Sequence, residues 1–211
     1  MIYIYECKSL IFLGDLLPTN LRSLETEDGE KLEALPNNIH NLNFLQDLSI
    51  RDCPSIVSFP EECFPTNLRD LRLSGANLCK QVFELGLHRL TSLTSLEIAG
   101  GIMASFPEEE DEKTMLMLPT SLNTLRFERF PNLLSLSRKF FQNHSTLEQI
   151  FIDACPKLES LSEECFPPSL QQIHIDECPV LKQNYEKDEG IMWSQIAHIR
   201  SVIIDGVEQQ K

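Results

Sequence analysis

A single α/β solenoid, built from short parallel strands stacked coil upon coil, is the fold class that this 211-residue sequence predicts. Three observations predict it. An aliphatic string recurs along the whole chain at near-constant spacing. A Cys-Pro pair follows that string in several copies. A composition of 42% hydrophobic and 24% charged residues supplies a core and sets the chain apart from a disordered acidic tail.

The string is an aliphatic residue, two variable residues, an aliphatic, one variable and an aliphatic, with Cys-Pro three positions on. It stands as Leu45-Gln-Asp-Leu48-Ser-Ile50-Arg-Asp-Cys53-Pro54, as Leu147-Glu-Gln-Ile150-Phe-Ile152-Asp-Ala-Cys155-Pro156, and as Leu170-Gln-Gln-Ile173-His-Ile175-Asp-Glu-Cys178-Pro179. Less regular copies begin at Leu21, Leu68, Leu93 and Leu122, a divergent one at Ile199, and Ile2-Tyr-Ile4 fits the frame without its first leucine. The starts are 24, 23, 25, 29, 25, 23 and 29 residues apart, within the spacing of leucine-rich repeats, about 20–29 residues. Residues 1–211 therefore read as one leucine-rich-repeat array of about nine units, the first partial. Phe59-Pro-Glu-Glu-Cys-Phe-Pro-Thr-Asn-Leu68 matches Leu161-Ser-Glu-Glu-Cys-Phe-Pro-Pro-Ser-Leu170 at an offset of 102, which points to duplication of a two-repeat unit.

The spacing dictates the geometry. Side chains alternate along a strand, so positions 4 and 6 of each unit face one side and positions 3, 5 and 7 the other. One such strand cannot bury its apolar side alone, whereas strands stacked about 4.8 Å apart share a continuous core. The expected form is a right-handed solenoid with a parallel sheet on the concave face and a mostly irregular convex side. Pro36, Pro60 and Pro107 end each return segment. Cysteine at position 9 is expected to face inward as a small apolar group, with Cys155 and Cys178 as ladder neighbours.

The ends follow from the same frame. Met1 falls inside a strand with no capping helix before it, so the first coil is expected to be uncapped. Residues 188–211 read as a C-terminal capping segment, with a short helix over Asp188–His198 and Trp193 as its plug.

Composition excludes several function classes. Eighteen Lys and Arg against 32 Asp and Glu give a net charge of −14, which disfavours binding to nucleic acid or to an anionic membrane surface. No run approaches the roughly 18 apolar residues of a membrane span. Seven cysteines without a Cys-x-x-Cys pair leave zinc-ribbon and thioredoxin readings unsupported. The opening residues do not read as a signal peptide, so the expected setting is reducing and cytoplasmic. The five histidines fall in different units and no Gly-x-Ser-x-Gly is present, so neither a metal, a cofactor nor an enzymatic activity is expected. Glu108-Glu-Glu-Asp-Glu112 reads as a solvated insertion, and Asn143-His-Ser145 as an idle glycosylation pattern.

The Cys155-Pro-Lys-Leu-Glu-Ser-Leu161 unit resembles the C-terminal leucine-rich repeats of plant coiled-coil nucleotide-binding disease-resistance proteins, a family of immune receptors. The closing Cys178-Pro-Val-Leu-Lys, Trp193-Ser-Gln-Ile-Ala-His-Ile199 and Ile204-Asp-Gly206 are similar to that family's usual ending. The resemblance implies a protein-recognition and autoinhibitory module acting in defence, with a pathogen effector or the receptor's own nucleotide-binding domain as partner. No Gly-x-x-x-x-Gly-Lys-Ser/Thr string occurs, so nucleotide binding does not carry over to this chain. The repeat alone equally fits a generic scaffold or the substrate adaptor of a ubiquitin ligase.

Candidate contacts lie at the outward strand positions. Tyr3, Tyr5, Arg51, Arg72, Arg126, Phe151 and His174 are chosen because aromatic and arginine side chains anchor interfaces. Glu128, Asp153 and Asp176 share position 7 with Asp205, so parallel strands would align them as an acidic column suited to a basic partner.

Overall fold

The computed structural model describes residues 1–14, 17–57, 59, 64–79, 87–106, 118–136, 146–161, 166–186, 190 and 192–209. They form two compact units, Met1–Gly101 and Ile102–Lys211. The acidic run at 108–112 and the Asn143-His-Ser145 pattern lie outside the described residues.

In the first unit β1 (Ile2–Tyr5), β2 (Ser23–Glu27), β3 (Asp47–Arg51), β4 (Asp70–Ser74) and β5 (Ser95–Ala99) pair in parallel, in chain order. The register aligns like positions: Leu24, Leu48, Leu71 and Leu96 form one row, and Thr26, Ile50, Leu73 and Ile98 the next. None of these eight side chains is more than 1% exposed. The strands beginning after Leu45, Leu68 and Leu93 thus lie side by side, as the spacing predicts.

The second unit contains β6 (Ser105–Phe106), β7 (Thr124–Glu128), β8 (Ser135–Leu136), β9 (Gln149–Asp153), β10 (Ser160–Leu161), β11 (Gln172–Asp176), α1 (Pro179–Tyr185), α2 (Trp193–Ile196), β12 (Ser201–Ile204) and β13 (Val207–Glu208). Strands β7, β9, β11 and β12 pair in parallel, and β13 folds back antiparallel on β12. Leu125, Ile150, Ile173 and Val202 make one buried row, with Phe127, Ile152, Ile175 and Ile204 the other. The two-residue strands form a second small sheet in the order β10-β8-β6.

Local chemistry sets the turns. Before four strands a Pro carbonyl accepts the N–H of the repeat's first leucine, in Pro18/Leu21, Pro65/Leu68, Pro119/Leu122 and Pro167/Leu170, at 2.9–3.1 Å. After the strand a second turn closes from position 9 to position 12, in Cys7/Leu10, Cys53/Ile56 and Cys155/Leu158, at 3.1–3.2 Å. Proline at position 10 suits the second place of such a turn, where φ is already fixed near its ring value.

Position 8 carries a feature the sequence does not announce. Glu6, Asp28, Asp52, Arg129, Ala154 and Glu177 all take φ between 49° and 57°, and Gly75 and Gly100 stand at the same repeat position with φ of 121° and 72°. The left-handed turn lets the residue-8 N–H stay in the ladder while the chain leaves the strand. Asp28 donates to the Arg51 carbonyl at 3.2 Å, Gly75 to Ala99 at 2.9 Å and Ala154 to Asp176 at 3.1 Å. For a residue with a Cβ this conformation costs about 1–2 kcal/mol, which the ladder and the core offset.

Cysteine at position 9 turns inward in three units, where Cys53, Cys155 and Cys178 are buried, while Cys7 in the first unit is half-exposed. Each of the three buried thiols meets the carbonyl two residues back, Arg51, Asp153 and Asp176 respectively, at 3.1–3.3 Å. The Cys155 N–H donates to the Cys178 sulfur at 3.4 Å, so the two are ladder neighbours. The hydrogen bond with Cys155, and then burial, push the Cys178 thiol up, while burial pushes Cys79 up to about 12. Such thiols are protonated at neutral pH and are poor nucleophiles.

The closing segment differs in detail from its sequence reading. Pro179 opens α1 at the first helical position, where its missing N–H costs nothing, so the last Cys-Pro starts a helix rather than a turn. Trp193 is only half-buried; Leu181 and Tyr185 are the fully buried groups of α1, and Ile196 that of α2.

Candidate protein-interaction surface

Positions 3, 5 and 7 of β7, β9, β11 and β12 form the outward face of the second unit's main sheet. Every strand residue there is half-buried, between buried neighbours at positions 4 and 6. Identical register brings Arg126, Phe151, His174 and Ile203 into one row. The Arg126 guanidinium carbon lies 4.3 Å from the centre of the Phe151 ring. On the next strand the His174 ring stacks on Phe151, with centroids 4.4 Å apart and planes 22° from parallel. Cation, benzene ring and imidazole therefore make a continuous stack, each contact favourable by about 0.5–1 kcal/mol at an exposed site. Burial, and then the Arg126 charge against the opposing pull of Asp176, lower the His174 pKa and favour its neutral form.

Position 3 supports this row. Thr124 donates to the Gln149 amide oxygen at 3.3 Å, and Gln149 donates to Gln172 at 2.7 Å. These amides are spent on one another and hold their strands' side chains in place.

Position 7 is the acidic column. Glu128, Asp153 and Asp176 are register partners on β7, β9 and β11. The two ends of the column are neutralised: Arg129 meets Glu128 at 3.2 Å, and Lys182 meets Asp205 at 2.9 Å. Asp205 also accepts the Glu177 N–H at 3.1 Å. Among the described residues no cation forms an ion pair with Asp153 or Asp176. Burial and the charges of Glu128 and Asp176 raise the Asp153 pKa, against a smaller opposing effect of Arg126.

The first unit treats its candidates differently. Arg51 on β3 reaches across β4 to Glu97 on β5 at 2.6 Å, and Arg72 meets Asp70 at 3.7 Å and Glu97 at 4.0 Å. Both arginines are engaged within the chain. Tyr3 and Tyr5 stack on each other with centroids 5.8 Å apart, and are 47% and 49% exposed, so β1 offers an open aromatic pair. The Tyr5 hydroxyl reaches Glu25 at 3.5 Å.

The sequence reading thus selected side chains that the fold gathers into rows, but gave no pairing between them. Glu97, Gln149 and Gln172 were read only as outward strand positions, and Tyr185 went unremarked. Gln149 and Gln172 share repeat position 3, which was a usable signal; the diagonal Arg51–Glu97 bridge skips a strand and left none.

Among the described residues no helix is long and apolar enough to cross a membrane, and no cluster of His, Cys, Asp and Glu is arranged to hold a metal ion. Searched against protein families, the chain matches no family model. It is 37% identical over 157 residues, 74% of its length, to the Arabidopsis thaliana protein named "Putative disease resistance protein At3g14460". The chain is related to part of a plant resistance protein. The match spans 11% of that relative's length. The fold of the chain is an α/β solenoid of leucine-rich-repeat type.

Proposed function

We infer that the chain is a protein-recognition and autoinhibitory leucine-rich-repeat module of a plant intracellular immune receptor, acting in defence without catalysing a reaction. The observation that carries this reading is the Arg126–Phe151–His174 stack on the outward face of the main sheet. A row of ordered, half-exposed aromatic and guanidinium groups loses little conformational freedom when a partner settles on it. Its partner is a protein surface, either a pathogen effector or the receptor's own nucleotide-binding domain. The kinship to a resistance protein supports the defence setting.

Proximity labelling in plant leaf cells tests the reading. The chain and its Arg126→Ala/Phe151→Ala variant are each expressed as a labelling fusion, and the tagged neighbours are compared. Neighbours shared with immune-receptor domains, and lost in the variant, are expected. Identical protein sets from the two chains would overturn the reading.

A further inference from the structure

Position 9 changes from coil to coil, and on only one adjacent pair of coils is it cysteine twice. In chain order it holds Cys7, Gly29, Cys53, Ala76, Gly101, Phe130, Cys155, Cys178 and Val207. Cys7 and Cys53 are two ladder steps apart, about 10 Å, beyond the reach of a disulfide. The coil of Gly29 fills the step between them, and a Cβ added to Gly29 would already stand 3.0 Å from the Cys53 sulfur.

Cys155 and Cys178 are one step apart. Asp153 and Asp176 are register partners, and each cysteine stands two residues further on. Parallel neighbours lie about 4.8 Å apart, within the roughly 4.4–6.8 Å between Cα atoms that a disulfide spans. The turn keeps this step. The Ala154 N–H donates to the Asp176 carbonyl at 3.1 Å, and the Cys155 N–H to the Cys178 sulfur at 3.4 Å. The Cys178 side chain is therefore aimed at its neighbour, and the two thiols hydrogen-bond to each other. Cys178 lends the proton of that bond, which lowers the Cys155 pKa against the effect of burial.

Burial selects the reagent. Cys155 is 0% exposed and Cys178 1%, so a bulky disulfide cannot line up with either sulfur for exchange. Hydrogen peroxide, uncharged and little larger than water, needs only a small opening.

We propose that Cys155 and Cys178 are an oxidisable dithiol, which hydrogen peroxide closes into a disulfide between two adjacent coils. The Cys155 sulfur gives up its proton and attacks one peroxide oxygen. The O–O bond breaks, the departing hydroxide leaves as water with that proton, and Cys155 becomes a sulfenic acid. The Cys178 sulfur then attacks the Cys155 sulfur, the S–O bond breaks, and hydroxide leaves as water with the Cys178 proton. Two electrons pass from the sulfurs to the peroxide, so two thiols and one hydrogen peroxide give one disulfide and two waters. The link ties together the coils whose strands present Phe151 and His174, and it does not depend on the recognition reading above.

The test treats the whole reduced chain with hydrogen peroxide, blocks the remaining thiols and maps the tryptic peptides by mass. Cleavage leaves Cys155 in residues 140–157 and Cys178 in 158–182. A link is expected to join these two peptides with a loss of about 2 Da, the two thiol hydrogens. Its yield is expected to exceed that of any other intramolecular cysteine pair by about tenfold, with none joining Cys7 to Cys53. Cys165 shares the second peptide, so the link should persist in Cys165→Ser and vanish in Cys178→Ser. In Cys178→Ser the oxidised Cys155 has no resolving partner and is expected to be captured by dimedone as a sulfenic acid. A link that forms only in urea, that survives Cys178→Ser, or that is no more frequent than other pairs overturns the proposal. Recovery of the two peptides unlinked from the folded, peroxide-treated chain overturns it as well. The unmutated chain reports the link by itself, so the outcome stands even if a variant fails to fold.

Discussion

The Tyr185 hydroxyl closes the backbone of Leu161. It accepts the Leu161 N–H at 3.1 Å, and its own proton lies within reach of the Leu161 carbonyl at 2.9 Å and the Gln195 amide oxygen at 2.8 Å. Leu161 ends β10, the edge strand of the small sheet, so one phenol from α1 replaces the ladder bonds that another coil would supply. Tyr185 is fully buried, and water cannot take over if its hydroxyl is removed. Tyr185→Phe is expected to cost about 1–3 kcal/mol, the penalty of leaving buried polar groups unmet. Urea unfolding of the two proteins measures it, and a loss below about 0.5 kcal/mol would show that the hydroxyl is not closing that edge.

The outward stack makes a separate prediction. The Arg126 guanidinium lies over the Phe151 ring, so their coupling is accessible to a double-mutant cycle. Arg126→Ala, Phe151→Ala and the double variant are expected to give a coupling energy of about 0.5–1 kcal/mol in urea unfolding. Additivity within experimental error would mean that the contact contributes nothing.

Position 8 predicts two substitutions of opposite sign. Ala154 holds φ at 51°, where a Cβ is strained, so Ala154→Gly is expected to stabilise by up to about 1 kcal/mol even after glycine's greater freedom in the unfolded chain is counted. Gly75 holds φ at 121°, and an added Cβ there would meet nothing within 4 Å. Gly75→Ala should therefore destabilise through its backbone alone, by about 1–3 kcal/mol. Thermal melts of both variants check the pair; equal signs would remove the explanation.

The stability of the chain should depend on His174 below neutral pH. Its folded pKa is lowered from 6.5, chiefly by burial, so the unfolded chain binds the proton first as pH falls. More protons on the unfolded state mean that stability declines as pH drops through 6.5, until the folded imidazole titrates as well. The charged groups acting on the ring are Asp176 from its own strand and Arg126 from β7, and its register partners are Phe151 on β9 and Ile203 on β12. Asp153, raised from 3.8 by burial and neighbouring acids, acts in the opposite sense: the folded state holds its proton longer, so stability falls as pH rises through that window. His174→Gln is expected to flatten the decline between pH 7.5 and 5.5 by well under about 1 kcal/mol, because the ring is half-exposed and screened. Parallel curves for the two proteins would remove His174 as the source.

The main ladder was legible because its signal is purely periodic. Mostly leucine or isoleucine at positions 4 and 6, repeated every 23–29 residues, leaves one arrangement in which every such group is buried. The rows at positions 5 and 7 followed from that register, which brings Arg126, Phe151 and His174 side by side. What stayed hidden depends on local backbone or on rotamers. The left-handed turn at position 8 falls mostly on Glu6, Asp28, Asp52, Arg129, Ala154 and Glu177, none of which signals it, and only Gly75, Gly100 and Gly206 hint at the demand. Helix α1 was missed because its Cys178-Pro179 repeats a dipeptide that elsewhere opens a turn. Choosing Trp193 as the plug followed size, whereas Tyr185 suits the site because it carries an apolar ring and a hydroxyl for the open edge.

The alternation along each strand separates two kinds of freedom. Positions 4 and 6 answer to the core, and the backbone amides and carbonyls answer to the ladder. The side chains at 3, 5 and 7 answer to neither beyond their immediate row. Substitutions can therefore accumulate on the outward face, one row at a time, while the coil beneath keeps its shape, so the chemistry that face presents can be rewritten without relearning how to fold.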